Sequence, residues 1–200
     1  MRLFLLRHAQ SEGNRRGIFQ GKLDLPLSEE GIKQAQKAGE FLKRFSFDRI
    51  ITSPQLRAKQ TAEIVADILN LPLEVDERLR EISYGVLEGK RHSEVENWEP
   101  YQRWLEDPVN NPLEGVDDFG DLQRRLESFL RDRYGEERNI FAVTHGGIVR
   151  AFICLLGGFG FSRMWRFSIG NVSLSMVEVK GVKPPKGKIK FVNLPTVELL

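Results

Sequence analysis

Polar side chains that could do chemistry follow three short apolar runs of the sequence. The run LFLL ends in Arg7 and His8, the run RIIT leads through Ser-Pro to Arg57, and the run IFAVT ends in His145. The chain has only three histidines, so two of them lie at the ends of such runs. Two guanidinium groups can clamp a phosphoryl group, and a histidine with an unprotonated nitrogen can attack phosphorus. The residue types therefore predict phosphoryl-transfer chemistry.

The surrounding pattern predicts the elements that would position these side chains. Apolar runs of strand length alternate with segments of helical spacing, as in SEEGIKQAQKAGEFLKRF and QLRAKQTAEIVADILN. Such alternation is typical of an α/β protein with a largely parallel sheet. We expect a three-layer sandwich whose mostly parallel central sheet is covered by helices on both faces, with the last two strands as an antiparallel edge. Because ligands bind at the carboxyl ends of parallel strands, the arginines and histidines would meet in one crevice.

Helical spacing also predicts which side chains face the core. In a helix capped by Ser28, the predicted inward residues are Ile32, Ala35, Gly39, Leu42 and Phe45. In a helix over residues 93–105, the residues on or near one side are Val95, Trp98, Trp104 and Leu105. Cys154, the one cysteine, lies in an apolar stretch and is predicted to be a packed thiol that forms no intrachain disulfide.

Composition predicts one globular domain and argues against nucleic acid and membranes as its partners. The 200 residues fit a single domain (1–200), with a small lid-like insert around 90–118, and 40% hydrophobic and 29% charged residues are ordinary values. A net charge of +2 gives no reason to expect nucleic acid or a membrane as the partner. Because no apolar run is long enough for a signal peptide or a membrane span, we expect a cytoplasmic protein.

Six segments, in order, resemble motifs of the histidine phosphatase superfamily, in its phosphoglycerate mutase-like branch. They are LLRHAQSEGN, FQGKLDLPLSEEGIKQA, ITSPQLRAKQTAEIV, RLREISYGVLEG, VTHGGIVRA and NVSLSMVEV, and they run from residue 3 to about 179. Each segment is a weak signal alone, but six in the family's order are specific. The resemblance implies the family's fold and a metal-independent phosphomonoesterase that uses a phosphohistidine and no cofactor.

The resemblance also implies roles for individual residues. His8 would be the nucleophile, Glu81 the general acid and then the base, and His145 a stabiliser of the transition state. The implied phosphate-binding residues are Arg7, Asn14, Gln20, Gly21 and Arg57. The residue pattern alone does not single out Glu81, because several surface-type carboxylates surround it. No metal site is expected, since the histidines show no close spacing to other ligands such as H-E-x-x-H.

Three functions remain open from the sequence. The first is a phosphatase, monomeric or homodimeric, acting on a small phosphorylated metabolite. The second is a cofactor-dependent phosphoglycerate mutase with the same phosphohistidine, and the third is a catalytically silent binding module. The region KRHSEVENWEPYQRWLEDPVNNPLEG is short and acidic and lacks the paired arginines before Ser-Tyr of the mutases, which favours hydrolysis. The complete set of resembling catalytic residues argues against the silent module.

Other segments carry narrower predictions. Glu88 is predicted to be structural rather than catalytic. PLEGVDDFGDL stands where the family often has Gly-Gly-Glu-Ser, so the resemblance leaves the contribution of Glu114-Gly115-Val116-Asp117 open. The lysine-rich stretch 180–190 is predicted to be an exposed hairpin tip rather than a binding patch.

Overall fold

The computed structural model describes residues 1–135 and 139–197. Two short parts of the predicted 1–200 domain, residues 136–138 and 198–200, lie outside the described residues. One six-stranded sheet runs through the centre, in the order β3-β2-β4-β1-β5-β6. Its strands, β1 to β6, are Arg2–Arg7, Ile50–Thr52, Leu73–Val75, Asn139–Thr144, Ser173–Val182 and Pro185–Pro195. The first four are parallel, and the last two form an antiparallel hairpin at the edge. The predicted α/β fold is confirmed.

Helices cover both faces of this sheet. Helices α1 to α7 are Glu12–Arg16, Glu29–Leu42, Leu56–Leu69, His92–Val95, Glu99–Glu106, Phe119–Arg133 and Gly146–Gly157. Along β1, Leu3 and Leu5 pack with α6 and α7, whereas Phe4 and Leu6 pack with α2 and α3. Successive strand residues point to opposite faces, and here both faces are buried, which explains why β1 is a continuous apolar run. None of the helices in residues 1–135 and 139–197 is long and apolar enough to cross a membrane.

Helix α2 begins as predicted, and three of its predicted inward residues, Ala35, Gly39 and Leu42, are buried. The Ser28 side chain accepts a hydrogen bond from the backbone N–H of Gly31, which caps the helix. Ile32 was predicted to face inward, but its side chain is 44% exposed, and Phe45 lies beyond the end of the helix. Apart from Leu42, the buried residues of α2 are small, and α2 approaches α3 closely: a Cβ on Gly39 would lie 2.7 Å from the side chain of Ile68.

The prediction that residues 93–105 form one continuous helix is wrong. The chain forms two helices, α4 and α5, and Pro100 lies in the first turn of α5, where proline is tolerated, rather than in a helix interior. Trp98 and Leu105 are each more than one-third exposed. The side chains that pack inward form a small aromatic cluster beside the main core: Phe19, Tyr84, Leu87, Val95, Tyr101, Trp104 and Leu113.

Two peripheral predictions agree with the structure. Cys154 is fully buried in α7, and burial raises the pKa of its thiol to about 11. The lysines between 180 and 190 are exposed on the β5–β6 hairpin, and Lys180 and Lys190 both pair with Glu178.

Candidate active site

The three strand ends lie side by side at one edge of the sheet. β1 pairs with β4, with Arg7 opposite Thr144, and the His8 N–H donates to the Thr144 carbonyl at 2.8 Å. The His8 and His145 rings are therefore neighbours, with centroids 5.2 Å apart. On the other side of β4, the Ser53 hydroxyl oxygen at the end of β2 lies 2.7 Å from His145 Nε2.

A cavity of about 320 Å³ opens above these strand ends. All but one of the residues predicted for the site line it: Arg7, His8, Asn14, Gln20, Gly21, Arg57 and Glu81. His145, the remaining one, lies fully buried against His8. The rest of the cavity wall is mainly aromatic and basic: Ile18, Phe19, Tyr84, His92, Tyr101, Trp104, Leu105, Gly146, Arg150 and Trp165.

The His8 ring has a defined tautomer. Its Nδ1 lies 2.7 Å from the Ala9 carbonyl oxygen, and because a carbonyl can only accept, Nδ1 carries the hydrogen. Burial and then the charges of Arg57 and Arg7 hold the pKa of His8 well below its usual range. The ring is therefore neutral at neutral pH, and its lone pair is on Nε2, as a nucleophile requires.

His145 is also neutral. Burial, followed by the charge of Arg57, lowers its pKa well below the usual range. The Ser53 hydroxyl accepts from the Gln55 N–H at 3.3 Å, so its own hydrogen can go to His145 Nε2. That arrangement leaves Nδ1–H as a buried donor with no acceptor in the described part of the chain. A ring with a free N–H beside His8 is suited to bind an anionic oxygen.

Two buried guanidinium groups supply positive charge. Arg7 donates to the Ile169 carbonyl at 2.6 Å, and Arg57 donates to two carbonyls of the loop after α1 at 2.7 and 3.0 Å. The Nε atoms of both arginines are buried without a partner among the described residues. Burial and the nearby Arg150 lower the pKa of Arg7 to about 10, and burial lowers that of Arg57, so both remain cations near neutral pH. The pair can neutralise a dianion.

Asn14 and Gln20 are held by a short network at the cavity wall. The Ser11 hydroxyl donates to the Gln20 side-chain oxygen at 2.8 Å. Asn171 donates from its amide nitrogen to the His8 carbonyl at 2.9 Å and to the Asn14 side-chain oxygen at 3.2 Å. Asn171 was assigned no role from its residue type, although it is the first residue of the resembling NVSLSMVEV segment.

Glu81 reaches the cavity from an irregular segment. Its carboxylate accepts from the backbone N–H groups of Ile82 at 2.9 Å and Gly147 at 3.2 Å. A Cβ on Gly147 would lie 2.4 Å from this carboxylate, so the approach requires glycine. Gln55 accepts from the Glu81 N–H at 2.7 Å and donates to the Gly21 carbonyl at 2.6 Å. Gln55 thus connects the Glu81 segment to the loop that holds Gln20 and Gly21.

The segment after Glu81 is fixed by further side-chain contacts. One carboxylate oxygen of Glu88 accepts from the backbone N–H groups of Lys22 and Tyr84, both at 3.0 Å, which agrees with a structural role. The loop that stands in place of Gly-Gly-Glu-Ser packs on the same segment, where the Gly115 carbonyl accepts from the Ser83 hydroxyl at 2.9 Å. That loop therefore supports the acid-bearing segment.

Sequence reasoning missed Gln55 and Arg150. Gln55 resembles an ordinary residue at the start of α3, and no pattern marks it. Arg150 is the one charged residue of the apolar helix α7, one turn after His145, which was a usable signal. Among the described residues, no group of three or more His, Cys, Asp and Glu side chains could hold a metal ion.

Known proteins resemble this chain along most of its length. A family model described as the histidine phosphatase superfamily (branch 1) matches residues 3–190. A relative from Hydrogenobacter thermophilus, provisionally named phosphoserine phosphatase 2, is 42% identical over 191 residues, covering 91% of each chain. The 2,3-bisphosphoglycerate-dependent phosphoglycerate mutase of Thermoplasma acidophilum is 32% identical over 177 residues, covering 88% of this chain and 86% of that one. The mycobacterial glucosyl-3-phosphoglycerate phosphatase, solved with VO3, aligns with a TM-score of 0.86 at 28% identity, covering 96% and 99% of the two chains.

Proposed function

The chain belongs to the histidine phosphatase superfamily (branch 1), and we propose that it is a phosphatase of small phosphorylated metabolites. The observation that carries the proposal is the hydrogen bond from His8 Nδ1 to the Ala9 carbonyl. It leaves Nε2 unprotonated in a cavity that also holds the guanidinium groups of Arg7 and Arg57. A neutral imidazole facing two cations is an arrangement for attack on a phosphoryl group.

In the first step, His8 Nε2 attacks phosphorus. The P–N bond forms as the bond from phosphorus to the ester oxygen breaks, and Glu81 gives its proton to the departing oxygen. Arg7, Arg57 and His145 stabilise the negative charge on the three oxygens that stay on phosphorus, and Asn14, Gln20 and Gly21 complete the phosphate-binding pocket. The product alcohol leaves, and the phosphoryl group remains on His8.

In the second step, water takes the place of the alcohol. Glu81, now ionised, removes a proton from the water as it attacks phosphorus, and the P–N bond breaks. Phosphate leaves, His8 returns to its neutral tautomer, and Glu81 is again protonated. Neither step in this proposal uses a metal ion or a cofactor, because the arginines and His145 supply the electrostatic stabilisation.

The alternative of a phosphoglycerate mutase deserves its own assay. The observation that favours it is the similarity to the mutase of Thermoplasma acidophilum, which covers most of both chains. A mutase would return the phosphoryl group from His8 to a second hydroxyl instead of to water. Hydrolysis is favoured by the region after Lys90, which is short and acidic and lacks the paired arginines before Ser-Tyr that mutases have.

A panel of phosphomonoesters, assayed in EDTA, tests the proposal. We expect phosphate release that survives EDTA and is lost in His8→Ala, with a phosphorylated wild-type enzyme visible by intact mass spectrometry at neutral pH. Full activity in a folded His8→Ala variant would contradict the covalent mechanism, and loss of activity in EDTA would contradict the metal-free one. Isomerisation of 3-phosphoglycerate, primed with 2,3-bisphosphoglycerate, that outpaces hydrolysis would identify a mutase instead.

A further inference from the structure

The cavity extends past the residues assigned to the phosphoryl group. Its outer wall is aromatic, formed by Phe19, Tyr84, Tyr101, Trp104 and Trp165. Arg150, from the second turn of α7, is the additional cation on this wall. The proposed reaction does not use Arg150, so its presence beside the reaction centre needs a separate explanation.

Arg150 is held in place from behind. Its Nε donates to the Phe167 carbonyl at 2.7 Å, and its guanidinium carbon lies 5.5 Å from the centroid of the Trp165 ring. Within residues 1–135 and 139–197, its two terminal amino groups, Nη1 and Nη2, have no hydrogen-bond acceptor and no carboxylate partner. A fixed guanidinium with two free amino groups is a binding group for a planar anion.

The position of Gly146 shows how close this cation is to the phosphoryl site. A Cβ on Gly146 would lie 2.9 Å from Arg150 Nη1 and 3.5 Å from Arg7 Nε, so both guanidinium groups approach the same point. An anion bound by Arg150 would therefore be only a few bonds from a phosphoryl group bound by Arg7. A short substrate could contact both.

The balance of charge indicates which anion fits. The charged side chains that line the cavity are Arg7, Arg57, Arg150 and Glu81. His8 and His145 are neutral, and Glu81 must carry a proton when it acts as an acid. A phosphoryl dianion then matches two of the three positive charges and leaves one, at Arg150. A single negative charge, as on a carboxylate, completes the balance, whereas a second phosphoryl dianion would exceed it.

We propose that Arg150 binds a carboxylate on the leaving group, so that the substrate is a short phosphorylated carboxylic acid. This inference rests on the proposed phosphatase function and adds to it the class of substrate. Arg150 acts as a specificity-determining residue, because it contacts the part of the substrate that departs rather than the phosphorus.

Matched pairs of substrates that differ in the carboxylate test this assignment. O-phosphoserine is compared with O-phosphoethanolamine, and 3-phosphoglycerate with glycerol 3-phosphate. We expect wild-type kcat/KM to be higher for the acid in each pair. Arg150→Met should lower kcat/KM for the acids about 10- to 100-fold, the usual effect of lost hydrogen bonds to a charged group, and change the carboxylate-free partners less than about threefold. Arg150→Lys should retain part of the preference.

Arg163→Gln is the matched control, because Arg163 is an exposed arginine on the short helical turn that follows α7. It should leave both members of each pair unchanged. An equal loss for acids and non-acids in Arg150→Met, with an unchanged melting temperature, would contradict carboxylate binding and assign Arg150 to the phosphoryl group. No loss for either would contradict any role in substrate recognition.

Binding measured without turnover separates this inference from the proposed function. In the His8→Ala background, calorimetric binding of O-phosphoserine should be tighter than that of O-phosphoethanolamine, and Arg150→Met should remove the difference. Selective binding of this kind, together with a wild-type protein that hydrolyses none of the phosphomonoesters, would support the Arg150 assignment and contradict the phosphatase. Hydrolysis of p-nitrophenyl phosphate without any preference for acids would support the phosphatase and contradict the Arg150 assignment.

Discussion

Two walls of the cavity are built in different ways. The sheet wall consists of the ends of β1, β2 and β4, where the backbone hydrogen bonds of parallel strands place His8, His145 and Ser53. The loop wall consists of residues 81–88 with the loops packed on it. Side-chain contacts place it, such as those of Gln55 to the Glu81 N–H and of Glu88 to two backbone N–H groups.

The two walls differ in what fixes the positions of their site residues: the backbone of the sheet in one, and individual side-chain hydrogen bonds in the other. A strand end cannot move unless the sheet moves, so His8 and His145 share the stability of the core. The position of Glu81 on the loop wall depends on a few hydrogen bonds, and we expect each to be replaceable without unfolding the protein. We therefore expect changes in the side chains that position the loop wall to alter rates in a graded way, and changes in the sheet wall to alter the stability of the fold as well.

Apart from the loss of activity in His8→Ala, the largest expected effect comes from Glu81, the proposed acid of the loop wall. Glu81→Gln should lower kcat for alkyl phosphates about 10²- to 10⁴-fold, since both steps lose their proton carrier. With p-nitrophenyl phosphate, whose leaving group needs no proton, rapid-mixing measurements should still show a burst of about one equivalent of p-nitrophenol, followed by slow turnover. A burst of equal size and rate with an alkyl phosphate would mean that Glu81 is not the acid.

A smaller effect should follow from loosening the loop wall without touching the acid. Gln55→Met keeps the length of the side chain but loses the bonds to the Glu81 N–H and the Gly21 carbonyl. We expect kcat to fall about 10- to 100-fold, because displacing a catalytic group by about 1 Å is this costly. The loss should be larger for alkyl phosphates than for p-nitrophenyl phosphate.

The control for this variant is Gln36→Met, an exposed glutamine on α2. It should change neither kcat nor the melting temperature. If Gln55→Met lowers the melting temperature strongly and affects all substrates alike, the loop wall contributes to the stability of the whole fold. That result would contradict the proposed difference between the two walls.

The smallest expected effect concerns the sheet wall. It is a change in the free energy of unfolding with pH. The pKa values of His8 and His145 are held well below 6.5 by burial, so the unfolded chain binds protons below about pH 6.5 that the folded protein does not. The free energy of unfolding should therefore fall as the pH falls through this range, by up to about 1.4 kcal/mol per pH unit for each histidine.

Urea denaturation at several pH values measures this slope. His145→Gln should make the dependence shallower, because one proton-binding difference is removed. His92→Gln, at a more exposed position, should change it less. A slope that is the same in wild type and in His145→Gln would mean that buried neutral histidines do not set the acid sensitivity of the fold.

The sheet wall was predictable from the residues because strand ends are visible in a sequence. An apolar run that stops at Arg7-His8 or at His145 marks both a strand and its exit. The loop wall was not predictable in this way. Glu81 follows no periodic segment, and it entered only through the resemblance to a family. Its hydrogen bonds to Gly147 and Gln55 join parts of the chain that are far apart in sequence, which no local pattern encodes.

The errors in the helices have local physical causes. Ile32 fits the apolar spacing of α2, but the close approach at Gly39 fixes which face is buried, and Ile32 is left at the surface. The division of 93–105 into α4 and α5 could have been predicted, since Pro100 is incompatible with a helix interior. Arg150 lies inside a helix rather than at a strand end, so the strand-end pattern does not include it, although one charged residue in an apolar helix is unusual.

The hydrogen bond between His8 Nδ1 and the adjacent Ala9 carbonyl determines which nitrogen of the ring is free to form a covalent adduct. An imidazole can carry a phosphoryl group on either nitrogen, giving two positional isomers with different spectra. Because Nδ1 is engaged by the protein's own backbone, a covalent adduct on His8 would form as one isomer, the one bonded through the nitrogen remote from the main chain. Phosphorus–nitrogen coupling in an isotope-labelled sample would identify that isomer directly.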